Sequence, residues 1–306
     1  MVIRLKKSPK NTPGAAQSYF LWAAPFFLPA LFFQSSLFAF ISPLPFFIVT
    51  LKNRTWISLL ALFTNASLLF ALEKDASLLA FPIWFWFCIG ITFPLFIRKF
   101  KRVPLAFFIS YSIGILSLVA GMTLLARGQH MDIFQYTHSE ISLGIDRLLA
   151  IPDHPIKKWI EEQGRSELIH NLMVELPSGI LIAFIICYWF NLLLAFRTLP
   201  GFLSRAFWAS YKNPEWLVWP TLICGALYIF DDHALYYIGM NGLKVLLVFY
   251  GFQGLSIVTH ILNHRQIFGL IRAVIYGLLI FIATPFAFGL GFFDLWFDFR
   301  RKFGQS

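Results

Sequence analysis

The feature that most restricts this 306-residue chain is a series of long apolar runs, at 18–51, 55–72, 76–97, 104–126, 177–196, 216–230, 241–262 and 267–293. About 20 consecutive apolar residues make a helix long enough to cross a bilayer. In lipid, backbone N–H and C=O groups must be paired inside a helix or a closed barrel. A barrel needs short alternating strands, and these runs do not alternate. Only 13% of the residues are charged, where a soluble domain carries about 25%. The pattern predicts an all-α fold, a polytopic transmembrane helical bundle of about eight or nine spans. It would form a single integral membrane domain over 1–306, with the lipid bilayer as its solvent.

The formal charge of +10 resides mostly in short loops between the runs, where Lys and Arg hold cytoplasmic ends in place. That placement points to a membrane surface and argues against nucleic acid as a partner. Arg98, Lys99, Lys101 and Arg102 form the strongest basic loop and are assigned to the cytoplasmic side. Counting from there puts 73–75 outside, Lys52 and Arg54 inside, 127–175 outside, 197–212 inside, 231–239 outside and 263–265 inside. The first run exceeds one crossing and is interrupted by Pro25, Pro29, Pro43 and Pro45. Proline removes a hydrogen bond from the helical ladder, so 18–51 is one long kinked helix or a hairpin of two shorter ones. The hairpin is favoured, because it keeps the basic 1–11 stretch inside. The apolar stretch is too long for a signal sequence and is expected to be retained. Near the other end, Thr284-Pro285 offers a break within 267–293.

The sizeable extramembrane piece is 127–175, with five Lys/Arg against eight carboxylates, a net −3. Ile141, Ile145, Leu148 and Leu149, then Ile156, Trp159 and Ile160 after Pro155, recur at helical spacing. Two short amphipathic helices on the outer face are expected as an insertion in the membrane domain.

Function is most visible in 241–260, NGLKVLLVFYGFQGLSIVTH. At about 100° per residue, Gln253, Ser256 and His260 share one helical face, and Asn241 lies about a third of a turn away. Polar side chains in hydrocarbon are costly, so such a stripe faces protein or a cavity. Gly251 and Gly254 let another helix or a ligand approach the backbone closely. Asp231, Asp232 and His233 end a span beside Tyr236 and Tyr237. They would suit a cationic ligand at a cavity mouth, or simply cap the next helix. His260 and His264 are too few for a stable metal site, and Asn65 and Asn191 read as interhelical glue. No phosphate loop, dinucleotide fingerprint, GxSxG or zinc motif occurs. Neither a catalytic residue, a cofactor nor a metal is assigned, and the chain is not expected to be an enzyme.

Glu175-Leu176-Pro177 with Asn191, Asn213-Pro214-Glu215 leading to Trp219-Pro220, Asn241 and Tyr250–Ser256 form a longer pattern. It closes on Gly289-Leu290-Gly291-Phe292-Phe293-Asp294-Leu295-Trp296-Phe297-Asp298-Phe299-Arg300, and Pro43-Leu44-Pro45-Phe46 is its N-terminal counterpart. In these motifs the chain resembles the YybS-like family of bacterial multi-pass membrane proteins. That family is similar in architecture to the S components of energy-coupling-factor transporters, which bind a vitamin or metal near the outer face. The resemblance implies an S-component-like core in the bacterial cytoplasmic membrane. It also implies a small-molecule binding or transport subunit with a site lined by 241–260. The alternative is a membrane scaffold, an assembly partner for another envelope protein.

Overall fold

A computed structural model describes residues 23–35, 37–74, 79–151, 155–199 and 208–303. Among them every regular element is a helix. Five helices are long and apolar enough to cross a membrane: Thr55–Leu72, Ala80–Phe100, Val103–Gly128, Arg165–Thr198 and His233–His264. A sixth crossing results if the bent pair Leu270–Phe281 and Thr284–Phe297 counts as one. Large apolar side chains on these helices stay uncovered, Phe63 at 72% and Leu116 at 70%. In water such faces would aggregate; in lipid they are solvated. The molecule is an all-α helical membrane bundle; among the described residues five or six spans are long, and the runs 18–51, 216–230 and 267–293 of the eight or nine expected crossings form shorter helices.

The chain divides into two compact units, Met1–Ser139 with Ala183–Leu203, and Glu140–Ile182 with Ser204–Ser306. The first contains α1 (Leu28–Gln34), α2 (Leu44–Leu51), α3 (Thr55–Glu73), α4 (Ala80–Phe100) and α5 (Val103–Gly128). Within 18–51 the described residues form two short helices, α1 and α2, about 10 and 12 Å long at ~1.5 Å per residue, and not one long kinked helix. Pro25, Pro29, Pro43 and Pro45 divide the run, and turns of 3₁₀ helix at Ala24–Phe26 and Ala39–Ile41 connect the pieces. Residues 18–22 and the basic stretch 1–11 lie outside the described residues.

Breaks of this kind persist only where neighbours satisfy the freed backbone groups, and the first unit supplies those partners. Asn65 on α3 is wholly buried; its Oδ1 accepts from Ala30 N–H at 2.9 Å and its Nδ2 donates to Pro25 O at 2.8 Å. Asn191 Nδ2 donates to Phe40 O at 2.8 Å. Trp86 Nε1 donates to Ser42 Oγ at 2.8 Å, and Ser58 Oγ donates to Phe46 O at 3.3 Å. The most enclosed span is α4, 61% buried against 28% for α3 and α5, so the unit is built around it. A π-helical turn at Trp86–Thr92 interrupts α4. There Gly90 meets the broken run so closely that a Cβ would stand 2.8 Å from Phe46 Cβ and 3.0 Å from Pro43 O.

The second unit holds α7 (Ile156–Gln163), α9 (Val218–Leu227), α10 (His233–His264), α11 (Leu270–Phe281), α12 (Thr284–Phe297) and α13 (Phe299–Phe303). Two helices have residues in both units, α6 (Ile133–Leu149) and α8 (Arg165–Thr198). The two amphipathic helices expected within 127–175 are α6 and α7. Ile145, Leu168 and Ile169 form a small buried cluster, with Ile141, Leu149, Ile160 and Met173 against it. The apolar run begins at Pro177, but the helix begins twelve residues earlier and passes through the proline. At the far end α11 and α12 meet at 91°, beside Thr284-Pro285.

Candidate functional site

Close backbone contact between α10 and α12 creates the site. A Cβ on Gly291 would stand 1.9 Å from Tyr250 O, and one on Gly254 2.0 Å from Ala287 O. Only glycine at those two positions lets the helices touch backbone to backbone. The contact brings Gln253, at 3% exposure, against Asp294, at 2%. Along α10, Gln253 lies about 30 Å from the His233 end and about 16 Å from the His264 end.

A chain of hydrogen bonds runs through Gln253. The backbone N–H of Asn213 donates to Gln253 Oε1 at 2.9 Å, and Gln253 Nε2 donates to Asp294 Oδ2 at 2.9 Å. Because a backbone N–H can only donate, it fixes the amide with its nitrogen toward the carboxylate. The other carboxylate oxygen accepts from Phe299 N–H at 3.0 Å, which anchors the turn leaving α12. Asn213 Nδ2 donates to Phe249 O at 2.9 Å, and Tyr211 OH donates to Asn213 Oδ1 at 2.8 Å. Arg300 Nη2 closes the cluster, donating to Tyr211 O at 2.6 Å and to Ser256 Oγ at 3.2 Å. Burial makes the Arg300 guanidinium less basic than usual, and the Asp294 and Asp298 carboxylates oppose that change. Its Nε is buried without a hydrogen-bond partner. Burial likewise holds the Tyr211 hydroxyl well above its ordinary pKa, so it stays protonated and donates.

The remaining space is small. A cavity of about 10 Å³ lies beside the cluster, lined by Lys212, Asn213, Pro214, Glu215, Tyr250, Gln253, Gly291 and Leu295. That is room for about one water molecule. Lys212 and Glu215 form an ion pair across 3.6 Å on its wall. Chemically the arrangement offers a buried carboxylate, a guanidinium whose buried Nε has no hydrogen-bond partner, and two amides.

The structure brings Gln253 and Ser256 together and separates the other sequence candidates from them. His260, one turn beyond Ser256, is half-buried and takes no part in the network. Asn241 serves a different break. Its Oδ1 accepts from Ser178 N–H at 3.1 Å and its Nδ2 donates to Val174 O at 3.1 Å. Val174 O and Ser178 N–H belong to the rung next to the one that Pro177 removes, so Asn241 supports α8 beside its proline. Asp232 is the N-cap of α10, accepting from Leu235 N–H at 2.9 Å, while Asp231 and His233 are exposed next to it. The His233 ring stacks on Tyr237 with centroids 6.4 Å apart. Sequence spacing missed Asn213, Tyr211, Asp294 and Arg300 as partners of Gln253, because all four lie on other segments. The available signal was two ionisable residues, Asp294 in the last turn of the apolar, glycine-rich α12 and Arg300 just beyond it.

A family model described as a predicted membrane protein, DUF2232, matches residues 19–295. No curated protein and no solved structure matches the chain.

Proposed function

The chain belongs to the DUF2232 family of predicted membrane proteins, and on that premise we propose that it is a small-molecule binding or transport subunit with its site at the Gln253 cluster, in a closed state. The observation that carries this reading is the pairing of a buried carboxylate and a half-buried guanidinium with a nearly filled cavity. Asp294 is enclosed by membrane helices, with Arg300 nearby, and an ionisable residue in that setting marks a functional site by default. Neither charge is needed to mend a helix break elsewhere in the chain. The site adjoins a broken helical pair, the setting in which transporters place their ligands. Ligand entry would part α12 from α10, with the 91° bend at residues 282–283 as the hinge. Lys212 and Glu215 would act as gate residues on the cavity wall. The reading includes the likeness to YybS-like proteins and S components, a place in the bacterial cytoplasmic membrane and a non-catalytic role.

The test is native purification of the full chain followed by mass spectrometry for a copurifying small molecule. A stoichiometric ligand that is lost on Lys212→Ala with Glu215→Ala supports the proposal. A chain that is repeatedly empty, and bound through 127–175 to another envelope protein in crosslinking, overturns it in favour of a scaffold. One observation favours that second reading: apart from Arg300 Nε the network is internally complete, and only about 10 Å³ remains open.

A further inference from the structure

Two basic loops of the first unit, separated by more than forty residues in sequence, meet at one corner. Lys52 and Arg54 lie between α2 and α3; Arg98, Lys99, Lys101 and Arg102 lie where α4 passes into α5. Arg98 ties the loops together. Its Nη1 donates to Thr50 O at 3.0 Å and to Thr55 Oγ1 at 3.3 Å, and its Nη2 donates to Asn53 Oδ1. Left-handed residues at Asn53 (φ 65°) and Lys101 (φ 53°) keep both connections tight, so the cations stay level with the helix ends. All the partners of Arg98 are neutral, so its charge is held in place without being cancelled.

The charge balance at the corner is one-sided. No Asp or Glu occurs in 44–72 or in 80–128, the segments that form it. Beyond them, Glu73 and Asp132 lie at or past the far ends of α3 and α5, about 27 and 39 Å of helix away. Burial lowers the pKa of Lys52, and neighbouring Arg54 lowers it further. The N-termini of α3 and α5, which favour anions, open onto the same place. Helices of membrane-spanning length begin and end here, which sets these groups at the depth of lipid headgroups. Trp56, at 68% exposure, follows directly in α3.

We propose that the corner formed by Lys52, Arg54, Arg98, Lys99, Lys101 and Arg102 binds the phosphodiester headgroup of an anionic phospholipid. The tether joins the two basic loops without neutralising Arg98, and that makes the corner a specific headgroup site. Cations that only orient the chain in the membrane would need no such clustering. Juxtamembrane Lys and Arg each add attraction to anionic lipid, and that attraction fades with salt.

The full chain is purified in a zwitterionic detergent, offered equimolar phosphatidylglycerol and phosphatidylcholine with the same acyl chains, and the retained lipids are counted by native mass spectrometry. Retention of phosphatidylglycerol at least tenfold over phosphatidylcholine is expected. The preference should fall to within twofold in Lys99→Gln/Lys101→Gln/Arg102→Gln, which keeps the Arg98 tether, and persist in Lys157→Gln/Lys158→Gln on α7. Equal retention of the two lipids by the unaltered chain, or full preference in the triple variant, overturns the proposal. Should the triple variant misinsert, the unaltered chain still decides. Its preference must collapse when lipid is offered in 0.5 M salt instead of 0.05 M, and a preference unchanged by salt rejects the site.

Discussion

The two units place polar groups among apolar helices for different ends. In the first, buried amides and hydroxyls gather at the proline breaks and the π turn. Asn65 serves Ala30 and Pro25, Asn191 serves Phe40, and three hydroxyls, those of Thr92, Ser110 and Tyr188, lie within 3.3 Å of Cys88 O. All of these groups are neutral, and helix repair accounts for them. In the second unit Asn241 does the same for Pro177, but the Gln253 cluster goes further. It includes a carboxylate and a guanidinium. Repair does not require charge. The difference therefore sets Gln253, Asp294 and Arg300, a cluster that contains charge, apart from the neutral polar interior of the first unit.

The comparison is most easily broken at the helix contact on which the cluster depends. Gly291→Ala places a Cβ against Tyr250 O and, at 3.0 Å, against Gly254 N. Backbone cannot yield as a flexible side chain does, so a loss of more than about 3 kcal/mol is expected. The thermal midpoint in detergent should drop sharply. Gly121→Ala on α5, where a Cβ meets nothing, should be neutral or slightly stabilising. Equal midpoints for the two variants would mean that α10 and α12 do not touch as described.

Gln253→Leu comes next. It leaves Asn213 N–H unpaired and removes a donor from a buried carboxylate, a cost of about 3 kcal/mol when an unmet polar group is retained. Asn65→Leu should cost less, about 2 kcal/mol, because the groups it strands are neutral backbone. Individual hydrogen bonds between membrane helices average only ~0.6 kcal/mol, so the stranded partners carry most of both losses. Denaturation of the two variants side by side checks the order. A milder effect at Gln253 than at Asn65 would remove the distinction between a charged cluster and neutral repair.

Much of this architecture is legible in the sequence, for a simple reason. Crossing a bilayer demands a contiguous apolar run, so length and hydropathy locate α3, α4, α5, α8 and α10 directly, and Thr284-Pro285 marks the bend. Three things are hidden. The prolines of 18–51 signal interruption, but the geometry of the pieces depends on Asn65, Asn191 and Ser58 elsewhere in the chain. Pro177 reads as a helix start, yet α8 passes through it, with Asn241 bonded to Val174 O and Ser178 N–H next to the proline, support that only tertiary structure supplies. The periodic stripe on α10 is real at Gln253 and Ser256 and ends before His260, because periodicity reports a face and not what packs on it. Polar residues of one helix are visible in a linear reading; their partners on 211–213 and 294–300 are not.

The smallest structural effect gives the sharpest test of the comparison. Lys212 and Glu215 are exposed, and pairs of this kind contribute about 0–1 kcal/mol. The double variant Lys212→Ala/Glu215→Ala should therefore unfold within about 0.5 kcal/mol of the unaltered chain, as surface substitutions do. If the Gln253 cluster is a site, that variant should nonetheless lose a bound small molecule, because the cavity wall opens while the network behind it stays intact. A matched change in the first unit, Thr123→Ala on α5, removes an exposed hydroxyl whose bond is to Val119 O of its own helix. It should alter neither stability nor occupancy. Occupancy measured by mass spectrometry then separates the units without reference to folding. Loss confined to the Lys212/Glu215 variant makes the second unit the ligand-binding half; identical occupancy in both variants leaves its charged cluster a latch that joins α10 to the C-terminal turn.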